Sequence, residues 1–126
     1  MKNNPVVWFE IYVKDMKRAK KFYENVLELK LEKLDSPASG IEEMMSFPSE
    51  EKGFGATGAL VKMTDGPSPG AGTIVYFSCQ DCKLEASRVG PNGGKVKKDK
   101  FSIGKYGFIA LATDPEGNAF GLHSMK

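Results

Sequence analysis

Hydrophobic residues form an almost unbroken run from Val6 to Val13, where every side chain except Glu10 is β-branched or aromatic. A run of this kind is typical of a strand that is covered on both faces. Directly after it the apolar positions change to helical spacing, with charged residues between them. This change predicts an amphipathic helix whose N-terminus Asp15 can cap. The apolar positions of the helix are Met16, Ala19, Phe22, Tyr23, Val26 and Leu27.

Three further strands are predicted before the middle of the chain. Apolar and charged residues alternate from Leu29 to Leu34, as they do in a half-exposed strand. The residues from Ser36 to Gly40 are typical of a turn. The segments Ile41 to Phe47 and Gly58 to Met63 have the composition of strands, and a polar loop from Pro48 to Gly55 separates them.

The segment from Thr64 to Gly70 holds two prolines and two glycines, which predicts a linker near the middle of the chain. After it the pattern restarts with a strand from Thr73 to Cys79 and with Asp81 in the capping position. A shorter, weaker helix follows, and Asn92 to Gly94 ends it. The remaining predicted elements are strands at Lys95 to Lys98, Phe108 to Thr113 and Asn118 to Ser124, with a turn at Asp114 to Gly117 between the last two.

Each half of the chain therefore has the order strand, helix, strand, strand, strand. The repeated order predicts two βαβββ modules and an α+β fold. The chain has 126 residues, which is a normal length for one domain. We expect a single domain in which the first module covers about residues 5–66 and the second about residues 71–126.

The composition is that of a globular chain, with 40% hydrophobic and 27% charged residues and a formal net charge of +2. The densest positive group is Lys95, Lys97, Lys98 and Lys100. Such a group can hold a phosphate, but it is more typical of a solvated strand edge. Aromatic residues do not interleave with it as a nucleic-acid platform requires, so we expect no nucleic-acid partner.

Cys79 and Cys82 form a C-x-x-C pattern, which occurs in redox pairs and in half-sites for zinc. The chain has no second pair of this kind and one histidine in all. We therefore favour two small buried or half-buried thiols in a reducing compartment. No apolar run has the length of a signal peptide core or a membrane span, so we expect a cytoplasmic protein with no membrane partner.

Three stretches carry a family resemblance: W-F-E-I-Y-V-K-D-M-K-R-A-K-K-F-Y-E-N-V-L (Trp8 to Leu27), V-Y-F-S-C-Q-D (Val75 to Asp81) and A-L-A-T-D-P-E-G-N-A-F-G-L (Ala110 to Leu122). They resemble the vicinal-oxygen-chelate superfamily, which includes glyoxalase I, bleomycin resistance proteins, extradiol dioxygenases and methylmalonyl-CoA epimerase. The resemblance implies a curved mixed sheet, a half-barrel around a central cavity with the helices outside. It also implies a homodimer and, if the protein is an enzyme, a lyase, an isomerase or a dioxygenase.

The resemblance also implies strand residues that hold a divalent metal in the cavity. Its ligand positions fall on Trp8, near Ile74, on Gly121 and near either Gly58 or Ala59. None of these side chains binds a metal, and a catalytic metal site commonly uses three ligands from His, Glu and Asp. We therefore expect no metal ion and no other cofactor.

Strand alternation predicts which side chains line the cavity instead. If the residues at the ligand positions face inward, their neighbours two residues along each strand face inward too. The predicted pocket residues are Trp8, Glu10, Tyr12, Ile74, Tyr76, Ser78, Gly121 and His123. Aromatic walls with a few polar groups are typical of small-ligand sites, so we expect a pocket for a small, partly apolar or aromatic molecule.

Several alternatives stay open at this point. Trp8 either stacks on a ligand or fills the space of the missing metal. Glu10 either pairs with a lysine or acts in catalysis, and His123 either frays at the C-terminus or takes part in function. Glu10 and His123 are the catalytic candidates, as an acid–base pair or as ligands of a rebuilt metal site. The alternative functions are a metal-dependent lyase or isomerase with unusual ligands and a non-catalytic interaction module.

Overall fold

A computed structural model of the chain describes residues 4–35, 40–64 and 72–126. Most of the turn expected at Ser36 to Gly40 and of the linker expected at Thr64 to Gly70 lies outside these ranges. No helix among the described residues has the length and apolar character needed to cross a membrane.

The described elements follow the two predicted βαβββ modules, which confirms the α+β fold class. In chain order they are β1 (Val6–Tyr12), α1 (Met16–Leu27), β2 (Glu32–Lys33), β3 (Ile41–Ser46), β4 (Thr57–Met63), β5 (Thr73–Ser78), α2 (Cys82–Ser87), β6 (Lys95–Ser102), β7 (Phe108–Thr113) and β8 (Ala119–Ser124). Two short 3₁₀ turns, Gly90–Asn92 and Gly104–Tyr106, flank β6.

The chain divides into two compact units. The first unit is Trp8–Thr73, and the second unit contains Ile74–Lys126 together with the residues before Trp8. That the two units form a single domain around a central cavity stays a prediction.

The first unit is a mixed sheet with the strand order β2-β3-β4-β1. The strand β1 runs parallel to β4, with Trp8 opposite Thr57, Glu10 opposite Ala59 and Tyr12 opposite Val61. The other two pairs, β2 with β3 and β3 with β4, are antiparallel.

The second unit repeats this arrangement in the order β5-β8-β7-β6. Its parallel pair is β5 with β8, in which Tyr76 lies opposite Gly121 and Ser78 opposite His123. The pairs β8–β7 and β7–β6 are antiparallel.

Both helices begin where the sequence predicts. The Asp15 carboxylate accepts a hydrogen bond from the Arg18 backbone N–H at 3.0 Å, and the Asp81 carboxylate accepts one from the Lys83 N–H at 3.0 Å. These bonds satisfy backbone donors that a helix start leaves without a partner. The two aspartates therefore cap α1 and α2 in equivalent places of the repeat.

The strand expected at Leu29 to Leu34 is wrong in length, because only Glu32–Lys33 pairs as β2. The chain leaves α1 through Glu28, which has a left-handed conformation with φ of 52°. The Glu24 carboxylate then accepts the Leu31 backbone N–H at 2.8 Å. This side-chain bond holds the backbone before β2 in a helix-terminating turn instead of a strand.

The strand expected at Lys95 to Lys98 is also wrong in length, since β6 continues to Ser102. Its pairing with β7 shifts register on either side of Lys98, as a β-bulge does. Lys100 lies 2.9 Å from an Asp81 carboxylate oxygen, and its ammonium group is 4.7 Å from the centre of the Phe108 ring. These contacts let a lysine-rich segment stay in the sheet as an edge strand.

Candidate functional site

The two faces of β1 point to different parts of the first unit. Ile11 packs with Met16 and Leu60 in the cluster beneath α1. Trp8 and Tyr12 pack in a separate cluster, around the buried residues Met44, Ala59 and Val61. The observed alternation therefore matches the register expected from the sequence, with Trp8 and Tyr12 on the face away from α1.

Glu10 lies between these two aromatic residues and is bonded to both. The Trp8 indole Nε1–H donates to Glu10 Oε2 at 3.1 Å, and the Tyr12 hydroxyl donates to Glu10 Oε1 at 2.6 Å. Glu10 as a whole residue is buried, at 8% exposure. We call these three residues the Trp8–Glu10–Tyr12 triad. Its bonds fix the orientation of a buried carboxylate with neutral donors.

The pairing of β4 with β1 shows whether Gly58 or Ala59 corresponds to the fourth metal-ligand position of the family pattern. Ala59 lies opposite Glu10 and belongs to the cluster on the triad side of the sheet. Gly58 lies opposite Phe9, and a Cβ atom on Gly58 would be 2.7 Å from Cγ of the Phe9 ring. Ala59 is therefore the equivalent position, and a methyl group offers a metal nothing to bind.

In the second unit, the ring of Tyr76 covers Gly121. A Cβ atom on Gly121 would meet Cδ2 and Cε2 of that ring and would be 2.8 Å from Cγ. Tyr76 is 4% exposed, and Ile74 on the same strand is buried as well. A side chain at position 121 thus needs the space that the Tyr76 ring occupies.

His123 lies within β8 rather than in a frayed terminus. Its Nε2 atom is 2.6 Å from the Tyr106 carbonyl oxygen. Because a carbonyl oxygen only accepts, we assign the hydrogen to Nε2. In the neutral form this leaves Nδ1 as an acceptor, the form that a general base needs. The exposed residue Ser78 is its neighbour across the strand pair.

Cys82 is the first residue of α2, and Cys79 lies three residues before it. Cys82 is fully buried, and both cysteines are free thiols. Burial, together with the nearby Glu85 carboxylate, raises the pKa of the Cys79 thiol to about 11. A thiol with a raised pKa is a weak nucleophile at neutral pH, which agrees with the interpretation of the pair as buried small residues.

The structure brings some of the predicted site residues together within each unit. In the first unit, hydrogen bonds join Trp8, Glu10 and Tyr12. In the second unit, the β5–β8 pairing places Tyr76 next to Gly121 and Ser78 next to His123. That all eight predicted residues line one pocket stays a prediction. Nothing in the sequence points to the Tyr106 carbonyl as a partner for His123.

The divalent metal that the family resemblance implies does not fit these residues. The Trp8 indole N–H is a donor without a lone pair for a metal, and it is bonded to Glu10. Ile74 and Ala59 are hydrocarbon side chains, and Gly121 lies under the Tyr76 ring. In residues 4–35, 40–64 and 72–126 no three His, Cys, Asp or Glu side chains group closely enough to hold a metal.

A surface depression of about 340 Å³ lies away from the triad, at the C-terminal end of α1. Its lining residues are Glu24, Asn25, Glu28, Leu29 and Lys30. The Glu24 carboxylate in it accepts the Leu31 N–H, and this bond lowers the pKa of Glu24. The depression follows from the turn that ends α1, and none of the predicted site residues lines it.

The sequence matches the family model of the Glyoxalase/Bleomycin resistance protein/Dioxygenase superfamily over residues 6–122. The chain belongs to this superfamily, as its three motif stretches indicate. It is 30% identical over 117 residues to a Mycobacterium tuberculosis protein provisionally named glyoxylase CFP32, covering 91% of this chain and 43% of that protein. A glyoxylase-like domain-containing protein of Didymella fabae is 31% identical over 117 residues, covering 90% of this chain and 88% of that protein. The chain thus spans less than half of the mycobacterial relative.

Solved structures share the fold at lower identity. A hypothetical protein of Bacillus halodurans C-125 superimposes with a TM-score of 0.75 at 20% identity, covering 99% of this chain and 96% of that one. The methylmalonyl-CoA epimerase of Streptomyces coelicolor superimposes with a TM-score of 0.70 at 19% identity, with 98% of both chains covered. These likenesses support the α+β fold of the superfamily.

Proposed function

We propose that this glyoxalase-superfamily protein binds a small, partly apolar or aromatic molecule at the Trp8–Glu10–Tyr12 triad without a metal ion. The observation that carries the proposal is a buried carboxylate held between two aromatic side chains on the face of β1 away from α1. Small-ligand sites commonly combine aromatic walls with a few oriented polar groups.

The members of the triad have different roles in the proposed ligand binding. The rings of Trp8 and Tyr12 each offer a large apolar surface on which a planar molecule can stack. Glu10 supplies a carboxylate whose direction is fixed by two hydrogen bonds, at 3.1 Å and 2.6 Å, before a ligand arrives. A group that is already oriented loses less conformational entropy when the ligand binds.

The triad takes the place of family metal chemistry in this proposal. In the family pattern Trp8 stands where a metal-binding side chain is usual, and the residues at the other positions do not fit a metal either. A metal-dependent lyase or isomerase with unusual ligands remains the alternative, and a non-catalytic interaction module is a third. Glu10 and His123 remain the candidates for proton transfer if the bound molecule is also a substrate.

Location and assembly are part of the same proposal. Two free thiols, Cys79 and Cys82, favour a reducing compartment such as the cytoplasm. We expect a homodimer because the family resemblance implies one. Light scattering tests this expectation: a mass close to the 13.8 kDa of one chain at all micromolar concentrations would contradict it.

The experiment for ligand binding uses the fluorescence of Trp8, the single tryptophan of the chain. Small aromatic and dicarbonyl metabolites are titrated into protein that has been treated with EDTA. A binding molecule should quench or shift the emission. Calorimetry on Trp8→Ala should then show that binding is weaker by more than about 1 kcal/mol, the scale of a buried aromatic anchor.

A matched control is Phe22→Ala, since Phe22 lies on α1 and is 57% exposed. This variant should bind every active compound with unchanged affinity. If Trp8→Ala binds as well as the wild type, the triad is not the binding site. If binding appears only after a divalent metal is restored, the metal-dependent alternative replaces this proposal.

A further inference from the structure

We propose that the outer face of α1 binds an acidic, amphipathic segment of a partner protein. Five exposed residues define this face: Lys17, Arg18, Lys21, Phe22 and Val26. The triad lies on the other face of β1, away from α1, so the proposal is independent of the ligand site.

Helical spacing arranges the five residues in two neighbouring rows. Arg18, Phe22 and Val26 follow each other at intervals of four residues, which places them along one ridge of the helix. Lys17 and Lys21 form the row beside it. Phe22 is 57% exposed and Val26 is 60% exposed, so two large apolar side chains lie in water next to three cations. Apolar side chains that cluster on a surface and are rimmed by charge are typical of protein–protein interaction sites.

The three cations of this face are not paired within the chain. Among the residues that the structure describes, the ion pair of α1 joins Lys20 to Glu24, and none of Lys17, Arg18 and Lys21 takes part in one. Their charges are therefore available to the carboxylates of a partner.

The positions of the cations also oppose the dipole of the helix. The N-terminal end of a helix carries partial positive charge, and acidic side chains stabilise it. Lys17 and Arg18 lie in the first turn of α1, which contains no acidic residue, and the last turn contains no basic one. This arrangement lowers the stability of the helix, and such local costs are expected at functional surfaces. A role in binding therefore accounts for the cations better than a role in folding.

Charge and shape favour one kind of partner. A second copy of the chain, bound through the same face by two-fold symmetry, would bring like charges together, which is unfavourable. A helix that binds a membrane inserts a broad apolar face. The broad apolar side of α1 instead packs onto the sheet through Met16, Ala19 and Tyr23. An acidic protein segment with a narrow apolar stripe matches both the cations and the two apolar side chains that remain outside.

The test measures the binding of rhodamine-labelled peptides to the full chain by fluorescence anisotropy. The acidic peptide is an amphipathic helix with one stripe of leucines and with glutamates at the other positions. Two comparison peptides have all glutamates replaced by glutamines or all leucines replaced by alanines. The acidic amphipathic peptide should bind at least about fivefold more tightly than either of them. Its affinity should fall as salt is added, because salt screens exposed charges.

Variants then assign the binding to α1. Phe22→Ala should weaken the binding of the acidic peptide about fivefold. Leu84→Ala removes a similarly exposed side chain from α2 and should leave the affinity unchanged. Lys17→Glu should weaken binding and yet be at least as stable to urea as the wild type, because an acidic residue suits the first turn of a helix. Lys97→Glu makes the same change of net charge on β6 and should weaken binding far less.

Three results would overturn the proposal. If the glutamine or alanine peptide binds as tightly as the acidic one, the face does not recognise charge together with an apolar stripe. If Phe22→Ala and Lys17→Glu bind the acidic peptide with wild-type affinity, the binding lies elsewhere on the chain. If the acidic peptide does not bind, the proposal is wrong; binding to vesicles of phosphatidylserine and phosphatidylcholine that is lost in Lys17→Glu would then make this face a membrane contact.

Discussion

Replacing Gly121 by alanine places a methyl group in the space of the Tyr76 ring. The new Cβ would be 2.8 Å from the ring Cγ and closer still to two further ring atoms. Carbon atoms attract each other best at about 3.5–4.0 Å, so the ring must move by about 1 Å. Tyr76 is 4% exposed and cannot simply turn into solvent.

The expected loss of stability can be estimated from these distances. Overpacking a well-packed region costs about 1–3 kcal/mol. Alanine in place of glycine stabilises by about 0.4–1 kcal/mol through the unfolded chain where the backbone conformation is permissive, and Gly121 has no positive φ. We therefore expect Gly121→Ala to lose about 1–2 kcal/mol of unfolding free energy.

Urea unfolding, followed by circular dichroism and by Trp8 emission, measures this loss. Gly90→Ala is the matched control, because nothing lies within 4 Å of a Cβ built there. It should change the unfolding free energy by no more than about 0.5 kcal/mol. In a Tyr76→Ala background the cost of Gly121→Ala should vanish. A neutral Gly121→Ala, or a cost that persists without the Tyr76 ring, would show that the ring does not cover this position.

Three further predictions concern the ionisable groups of Cys79, Asp114 and His123. The Cys79 thiol should react slowly with iodoacetamide near pH 8, because burial and the Glu85 carboxylate raise its pKa to about 11. Glu85→Gln should speed the reaction, and fast alkylation of the wild type would contradict this. Hydrogen bonds from Asn118 lower the pKa of the Asp114 carboxyl in the folded protein. The stability that Asp114 contributes is therefore present above its unfolded pKa of about 3.9 and is lost as the pH falls through its lower folded pKa. Acid unfolding of Asp114→Asn should accordingly depend less steeply on pH than that of the wild type. NMR of the single histidine should show His123 protonated on Nε2 in its neutral form, and the Nδ1–H tautomer would refute the bond to the Tyr106 carbonyl.

The elements with strong local signals could be predicted from the sequence. The amphipathic pattern and Asp15 define α1 from Met16 to Leu27, as observed. The period of two along β1 placed Trp8, Glu10 and Tyr12 on one face, and the structure has this arrangement. These features depend on residues that are close together in the sequence, so the pattern of one sequence is enough to predict them.

Other features depend on contacts between distant residues and could not be predicted. The length of β2 is limited by Glu24, whose carboxylate bonds to a backbone N–H seven residues later. The full length of β6 depends on its pairing with β7 through bulges that the lysine-rich sequence hides. The ring of Tyr76 covers Gly121 only because the strand pairing sets them opposite each other.

Within the site, alternation predicts a shared face but not its bonds. The aromatic neighbours Trp8 and Tyr12, two residues away on either side, both donate hydrogen bonds to Glu10. On an isolated strand these side chains have other rotamers, and the packing around Ala59 and Val61 restricts them. The alternation of side chains along a strand therefore predicts which residues share a face, and tertiary packing determines the bonds that they make there.

The central claim is that the triad binds a small, partly apolar or aromatic molecule directly, without a metal. The indole N–H of Trp8, which donates to Glu10, gives one resonance in a heteronuclear NMR spectrum because the chain has a single tryptophan. Adding a compound that quenches Trp8 emission to protein in EDTA should shift this resonance until it saturates, and a divalent metal supplied in excess over the chelator should not change the curve. An indole resonance that stays fixed in EDTA, or that moves only when the metal is present, would contradict the account.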